Sequence, residues 1–390
     1  MPFRNFFQKD GASMKDIDYL IIGAGLSGSV IARELTDKGY KCVILEERDS
    51  VGGNIRDREI SGINVHLYGP HIFHTNSDEV WDYMNRFCEF NNFINSPIAN
   101  YKGEIYNLPF NMNTFHQMYG YCCVFPEDAK RFIELDLVPC ENPQTVEEYA
   151  LSTVGIRIYE RLLKGYTEKQ WGRSCKELSR DIIKRLPLRF TYNNNYFFSK
   201  HQGIPVDGYS KAVERLLEGV EVVKGYKCSC SSKEWLEMAR NVVLTGAIDE
   251  WYGYCFGTLE YRSLKFEIEE LQEENHQGNA VVNFTDARVP FTRVIEHKHF
   301  TGVKTPTTIK GVTNRYSLIT KEYPQKWEIG KDRYYPIEDE KNKALYQKYK
   351  ELADRDGLIT VGRLAEYKYY NMDGAIESAL RVVRELCERQ

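Results

Sequence analysis

A chain of 390 residues with 42% hydrophobic and 28% charged residues is long enough for two or three globular domains. Its 52 Lys and Arg balance 56 Asp and Glu to a net charge of −4, which excludes a general attraction to nucleic acid or anionic membranes. No apolar stretch reaches the roughly 20 residues of a membrane span. The ten cysteines form no zinc pattern or disulfide framework, so we expect reduced thiols, no metal and a cytoplasmic location.

The N-terminal part of the chain predicts a β-α-β unit behind a disordered tail. Residues 1–15 lack periodicity, and Met1 and Met14 are alternative translation starts. Residues 17–22 and 41–46 are short apolar runs typical of buried parallel strands. A helix is predicted between them, from about Leu26 to Lys38.

The turn between the first strand and this helix reads Gly23-Ala24-Gly25-Leu26-Ser27-Gly28. Such a turn bends tightly, lets a pyrophosphate approach the backbone, and lets the helix pack on the strand. Glu46 closes the second strand, where it would bind a ribose hydroxyl and disfavour NADP. A turn without ligand is the less favoured interpretation. Between FAD and NAD we expect FAD, because Val51-Gly52-Gly53-Asn54 resembles flavoproteins of the amine-oxidase and glutathione-reductase type.

The rest of the chain predicts inserted segments before a return to the nucleotide fold. Helical spacing occurs at 76–92, 127–136, 145–165 and 179–185, strands at 280–284, 316–319 and 358–362, and a last helix at 373–388. The predicted fold is α/β, with a discontinuous Rossmann-like FAD-binding domain (16–90, 203–250 and 355–390). A mainly helical domain (91–190) carries a mobile lid, and an antiparallel β-sheet substrate domain comprises 191–202 and 251–354.

Two further motifs allow a functional and a structural interpretation. His71 and His74 follow Tyr68-Gly69-Pro70, so they are loop residues better suited to bond a flavin or a structural partner than a metal. The stretch 164–172, rich in aromatic and basic residues, is interpreted as a lid loop or as ordinary surface.

These segments together resemble UDP-galactopyranose mutases of the bacterial type, from about Asp18 to the last helix. The resemblance rests on GAGLSG, VGGN, YGPHIFHT, KGYTEKQWG, FTRVIEHKHF and GRLAEYKYY. It implies an isomerase with reduced FAD that interconverts UDP-galactopyranose and UDP-galactofuranose for cell wall polysaccharide biosynthesis. Flavin N5 would attack the anomeric carbon and form a flavin iminium, with no net redox change. Expected partners are these two nucleotide sugars, a second copy in a homodimer, and NAD(P)H or another external reductant; no nucleic acid or membrane is expected.

The resemblance also implies roles for individual residues. Arg185 on the lid and Arg293 opposite would hold the diphosphate and, with His71, serve catalysis. The substrate-binding residues would be Asn95, Tyr166, Thr167, Trp171, Arg185, Tyr196, Phe197, Asn283, Arg293, Tyr335, Tyr369 and Asn371. The cofactor-binding residues would be Gly23, Ala24, Gly25, Leu26, Ser27, Gly28, Glu46, Glu47, Gly53, Asn54, His71, Ile72, Arg363 and Met372.

One position departs from the family pattern, since Asn371 stands where Asp is common. An amide keeps an acceptor and adds a donor but loses the charge, which leaves UDP-N-acetylgalactosamine open as a substrate. Two rival functions are also compatible with the sequence: an amine-oxidase-like flavin oxidoreductase, and a non-catalytic protein that binds a UDP-sugar or FAD.

Overall fold

The computed structural model describes residues 17–183, 188–232, 237, 239–301, 307–309, 312–314 and 316–388. The predicted tail 1–15 and the predicted catalytic residue Arg185 lie outside these ranges.

The described residues form 18 β-strands and 12 α-helices. The strands are β1 Ile17–Ile22, β2 Cys42–Glu46, β3 Asp57–Ile60, β4 Ile63–His66, β5 Phe73–Thr75, β6 Ile98–Tyr101, β7 Glu104–Asn107, β8 His201–Gly203, β9 Glu221–Lys224, β10 Ala239–Leu244, β11 Tyr261–Leu271, β12 Val281–Phe284, β13 Arg293–Glu296, β14 Thr307–Ile309, β15 Val312–Asn314, β16 Ser317–Lys326, β17 Tyr335–Pro336 and β18 Ile359–Thr360. The α-helices are α1 Leu26–Asp37, α2 Asp78–Asn85, α3 Met112–Tyr119, α4 Pro126–Asp136, α5 Val146–Thr153, α6 Ile156–Ile158, α7 Lys164–Trp171, α8 Tyr209–Leu216, α9 Ile248–Trp251, α10 Lys298–Thr301, α11 Glu340–Arg355 and α12 Met372–Glu388.

A five-stranded parallel sheet of order β18-β10-β1-β2-β9 holds the predicted nucleotide fold. Side chains alternate along β1, so Tyr19 and Ile21 pack with α1 and α12, while Leu20 and Ile22 pack with α9 and α11. Burial on both faces explains why these strands are continuously apolar. The predicted Rossmann-like α/β fold is thereby confirmed.

A second sheet has seven strands in the order β17-β11-β16-β13-β12-β6-β7. Its pairs are antiparallel except for β12 with β6, which run parallel. The antiparallel sheet predicted for the later part of the chain is present. Strands β6 and β7 belong to this sheet although they come from inside the segment 91–190, and the domain boundaries remain a prediction.

Three predicted helices differ from the structure. The helix predicted at 76–92 ends at Asn85, and the described part of 179–185 holds only a 3-10 turn at Arg180–Ile182. The pattern at 145–165 is interrupted at Gly155, where φ is +82° and a Cβ atom would lie 2.7 Å from the Asp136 side chain. A π-helical turn, Tyr159–Leu163, then leads into α7. The loop interpretation of 164–172 was wrong, because these residues form α7 and its end at Gly172.

Among the helices of the described residues, none combines the length and the apolar character that crossing a membrane requires.

Candidate cofactor and substrate site

The glycine turn after β1 has the close packing that its sequence predicts. Gly23 has φ of +104°, a conformation that favours glycine. A Cβ atom at Gly28 would lie 2.1 Å from the Gly23 carbonyl oxygen, so only glycine lets α1 start this close to the strand. The first turn of α1 therefore points its free backbone N–H groups at the end of the sheet, which is a favourable place for a pyrophosphate.

Glu46 ties this turn to the end of β2. Its buried carboxylate accepts hydrogen bonds from the backbone N–H of Ala24 at 2.7 Å and of Arg48 at 2.9 Å. These charge-assisted bonds fix the turn from the neighbouring strand. Glu46 thus has a structural function besides the ribose contact predicted for it.

A cavity of about 400 Å³ opens where β1, β2 and β10 end. Ligands of open parallel sheets bind at this carboxyl edge. The predicted cofactor residues that line it are Gly23, Gly25, Leu26, Ser27, Glu46, Glu47, Gly53, Asn54, His71, Arg363 and Met372, and Asn371 lies with them. Ala24, Gly28 and Ile72 are absent from this lining; Ala24 and Ile72 are buried in the adjoining core.

Sequence reasoning missed several lining residues, notably Arg48, Gly246 and Arg333. A signal existed for Gly246, because it follows the apolar run of β10 as Gly23 follows β1. No sequence signal indicated Arg48 or Arg333, since only the tertiary fold brings their side chains to the cavity.

Three buried nitrogen atoms of lining residues mark the cavity as a polar ligand site. Arg48 Nη1, His71 Nε2 and Arg333 Nε have no hydrogen-bond partner among the described residues. Burial lowers the pKa of His71 to about 3, so its imidazole is neutral. A buried polar atom without a partner costs about 1–3 kcal/mol, which a phosphate or flavin edge can relieve. The cradle therefore fits a flavin dinucleotide.

His74 makes contacts that differ from those of His71. Its Nδ1 lies 3.1 Å from Ser199 Oγ, and its ring stacks on Phe197 with 3.8 Å between centroids. Among the described residues, no three His, Cys, Asp or Glu side chains are grouped as metal ligands.

A buried ion pair forms the centre of the second region. Arg293, the first residue of β13, donates from Nε to Glu322 Oε1 of β16 at 3.0 Å. Glu322 is 2% exposed and also accepts from Thr292 Oγ1 at 3.2 Å. Burial opposes the Arg293 charge, but the Glu322 carboxylate and the neighbouring tyrosine hydroxyls together outweigh it and raise the pKa of Arg293. The guanidinium is thus a fixed cation.

Tyrosines surround this cation and connect it to the cofactor cavity. Burial raises the pKa of Tyr166 to about 12, so its hydroxyl keeps its proton beside Arg293. The rings of Tyr335 and Tyr369 stack with centroids 5.4 Å apart. The Arg363 guanidinium carbon lies 5.5 Å and 5.7 Å from those two centroids, and Arg363 also lines the cavity.

The remaining predicted substrate residues lie on three neighbouring segments. Trp171 ends α7, and its carbonyl oxygen accepts from Arg262 Nη1 at 3.2 Å. Arg262 pairs with Tyr335 across β11 and β17. Asn283 pairs with Arg293 across β12 and β13, and its Oδ1 is buried without a partner among the described residues.

A loop before β8 supplies the third segment. The Tyr196 N–H donates to the Asn95 carbonyl oxygen at 2.8 Å, and the rings of Tyr196 and Phe197 lie 5.2 Å apart. The Tyr196 hydroxyl acts electrostatically on Arg293. Thr167 is buried within α7. Sequence reasoning missed Glu322 and Arg262, which become visible only through strand pairing.

Known protein families match both the region of the glycine turn and the region around Arg293. The UDP-galactopyranose mutase family profile matches residues 161–369, and that of NAD(P)-binding Rossmann-like domains matches residues 21–87. A dTDP-fucopyranose mutase of Escherichia coli is 40% identical over 370 residues, covering 93% of this chain and 96% of that protein. A probable UDP-galactopyranose mutase of Klebsiella pneumoniae is 38% identical over 376 residues, covering 95% of each.

The fold agrees with a solved structure from the same family. A crystal structure of reduced UDP-galactopyranose mutase superimposes with a TM-score of 0.73 at 15% identity, covering 96% of this chain and 94% of that chain. The chain belongs to the UDP-galactopyranose mutase family, whose members are flavin-dependent isomerases.

Proposed function

We propose that this chain interconverts UDP-galactopyranose and UDP-galactofuranose with FAD in its reduced form. The observation that carries the proposal is the buried Arg293–Glu322 pair, which places a fixed cation among tyrosines beside the dinucleotide cavity. A nucleotide sugar needs this combination, because its diphosphate leaves as an anion while the sugar reacts at the cofactor.

The glycine turn, Arg48, Asn54 and His71 would hold the FAD. When bound and reduced, a flavin supplies a nucleophilic nitrogen suited to an anomeric carbon. The neutral His71 can offer Nε2 to the flavin edge as donor or acceptor, according to its tautomer.

Arg293 would stabilise the departing diphosphate. Because Nε is used by Glu322, the terminal nitrogens of the guanidinium remain to donate to phosphate oxygens. The protonated hydroxyls of Tyr166 and Tyr335 would add neutral donors beside it. Arg185 would supply a second cation. The diphosphate is already anionic in the bound nucleotide sugar and gains further negative charge as it leaves, so these preorganised donors would contribute to affinity as well as to rate.

The nucleotide end would lie against aromatic and amide side chains. Trp171 and Phe197 offer ring faces for the uracil or ribose, and the unpaired Oδ1 of Asn283 can accept from a ring N–H or hydroxyl. Asn95 lies next to this group through the Tyr196 backbone. Thr167, Tyr369 and Asn371 would complete the pocket towards the sugar.

A second candidate function is interconversion of the pyranose and furanose forms of dTDP-fucose. It is favoured by the dTDP-fucopyranose mutase that is 40% identical over 370 residues. Thymidine adds a 5-methyl group and lacks the 2′-hydroxyl, and fucose lacks the galactose 6-hydroxyl. Asn371 keeps UDP-N-acetylgalactosamine as a third substrate to test, because its amide can donate as well as accept.

The experiment is an anaerobic assay of the dithionite-reduced chain with each of the three nucleotide sugars, followed by chromatography of pyranose and furanose forms. Conversion of UDP-galactose with the highest kcat/KM supports the proposal. A higher kcat/KM for dTDP-fucose would assign the second function, and stoichiometric consumption of oxygen or NADH with product would assign an oxidoreductase. A cytoplasmic location, a homodimer and an external reductant such as NAD(P)H stay predictions.

A further inference from the structure

Helix α7 lies unusually close to the loop that joins β12 and β13, residues 285–292. A Cβ atom at Gly165 would lie 2.3 Å from the Thr285 carbonyl oxygen and 2.9 Å from the Ala287 nitrogen. No side chain can be accommodated at that distance, so helix backbone and loop backbone are in direct contact. The π-helical turn Tyr159–Leu163 immediately precedes α7.

Lys169 lies one helical turn after Gly165 and therefore on the same face of α7. Its Nζ donates to three backbone carbonyl oxygens, those of Phe284 at 2.6 Å, Phe291 at 2.9 Å and Asp286 at 3.0 Å. An ammonium has three N–H donors, so all three are used. Phe284 ends β12 and Phe291 lies two residues before β13, so a single side chain closes both ends of the loop.

The charges around Lys169 favour this backbone bonding over a salt bridge. The Asp286 carboxylate, in the loop, acts electrostatically on the Lys169 ammonium. This carboxylate is itself paired with Arg288, whose Nη2 lies 2.7 Å from Asp286 Oδ2. Burial lowers the pKa of Lys169 to about 8, and the Asp286 carboxylate opposes this shift. A neutral amine would leave one of the three carbonyls without its donor.

The elements joined here carry the residues assigned to the nucleotide sugar. Tyr166 and Trp171 belong to α7, whereas Asn283 and Arg293 face each other across β12 and β13 at the two ends of the loop. The relative position of the two groups depends on how α7 rests on the loop. A displacement of about 1 Å between such walls can lower kcat/KM by up to about 100-fold in a preorganised site.

We propose that Lys169 is a positioning residue which, with Gly165, fixes α7 against the β12–β13 loop and thereby sets the width of the nucleotide-sugar site. Lys169 acts through other residues and needs no contact with substrate. The proposal rests on the proposed function for the identity of the ligand, but the contact between helix and loop is independent of it.

The test compares Lys169→Met with Lys164→Met, two equal substitutions on one helix. Lys164 makes a surface pair with Glu160 at 3.0 Å, so its replacement is the matched control. We expect Lys169→Met to lower kcat/KM at least about tenfold, mainly through KM, because the widened site loses simultaneous contact with both walls. The FAD content of Lys169→Met should equal that of the wild type. The kcat/KM of Lys164→Met should stay within about twofold of the wild-type value.

Two further variants separate positioning from a general loss of folding. Lys169→Arg keeps the charge, but its planar fork cannot place one nitrogen against three converging carbonyl oxygens, so it should recover KM only in part. Gly165→Ala removes no polar group, yet it should raise KM like Lys169→Met because the new Cβ pushes the helix from the loop. KM values for Lys169→Met within twofold of the wild type, or equal losses in Lys164→Met, would overturn the proposal.

Failure of the proposed function would be recognised separately, as a wild-type chain that binds no UDP and converts no nucleotide sugar. Amide hydrogen exchange of residues 164–171 then decides the role of Lys169. Faster exchange in Lys169→Met than in Lys164→Met supports the contact between helix and loop, and equal exchange overturns it.

Discussion

Replacing Arg293 by alanine has two consequences that the buried pair with Glu322 makes separable. The Arg293 side chain is 21% exposed, while its Glu322 partner, 3.0 Å away, is nearly fully buried. Loss of the donors to the diphosphate should reduce kcat by about 100- to 1000-fold, or about 2.7–4 kcal/mol. Loss of the cation also leaves a buried carboxylate without its partner, which should lower the free energy of unfolding by about 3–5 kcal/mol.

A second substitution distinguishes the two effects. In Arg293→Ala/Glu322→Gln the buried charge is absent, so we expect most of the lost stability to return in a denaturant titration while kcat stays low. Glu322→Gln alone should give a folded chain in which the Arg293 side chain is held less rigidly. Near-wild-type kcat in Arg293→Ala, or recovery of kcat in the double variant, would refute the assignment of Arg293 to the leaving group.

Three other predictions follow from the geometry of the two regions. Gly28→Ala places a Cβ atom 2.1 Å from a loop carbonyl, so the purified chain should lose FAD, and a full flavin absorbance would contradict this. Asn283→Ala removes a buried unpaired acceptor and should raise KM about tenfold with little change in kcat; an unchanged KM would speak against its nucleotide contact. Burial lowers the pKa of His66, His71 and His297, so protons bind these groups more readily in the unfolded chain. The free energy of unfolding should therefore fall by about 1 kcal/mol per histidine between pH 6.5 and 5.5, and an equal value at both pH values in denaturant titrations would exclude it.

The cofactor side of the molecule was predictable because its signals are local. The turn from Gly23 to Gly28 combines backbone conformation, close packing and a helix N-terminus within six residues. The apolar strands on either side identify the sheet edge to which it belongs. Glu46 was found for the same reason, although its bond to the Ala24 N–H required the structure.

The substrate side depends on contacts between distant segments. Glu322 lies 29 residues from Arg293, and Lys169 reaches carbonyl groups 115 to 122 residues away. No spacing rule predicts such pairs, since they arise from strand register and from the approach of a helix to a loop. For the same reason the sequence around Tyr166 suggests a loop, although a π-helical turn leads it into a helix.

The proposed function requires a reduced flavin in the Gly23–Gly28 cavity that isomerises a nucleotide sugar without net redox change. One measurement tests it most directly: the anaerobic rate of UDP-galactofuranose conversion by the same preparation before and after stoichiometric reduction of its flavin. We predict conversion to the pyranose only after reduction, with the flavin still reduced after many turnovers. Equal rates with fully oxidised flavin, or reoxidation in step with product, would contradict the account.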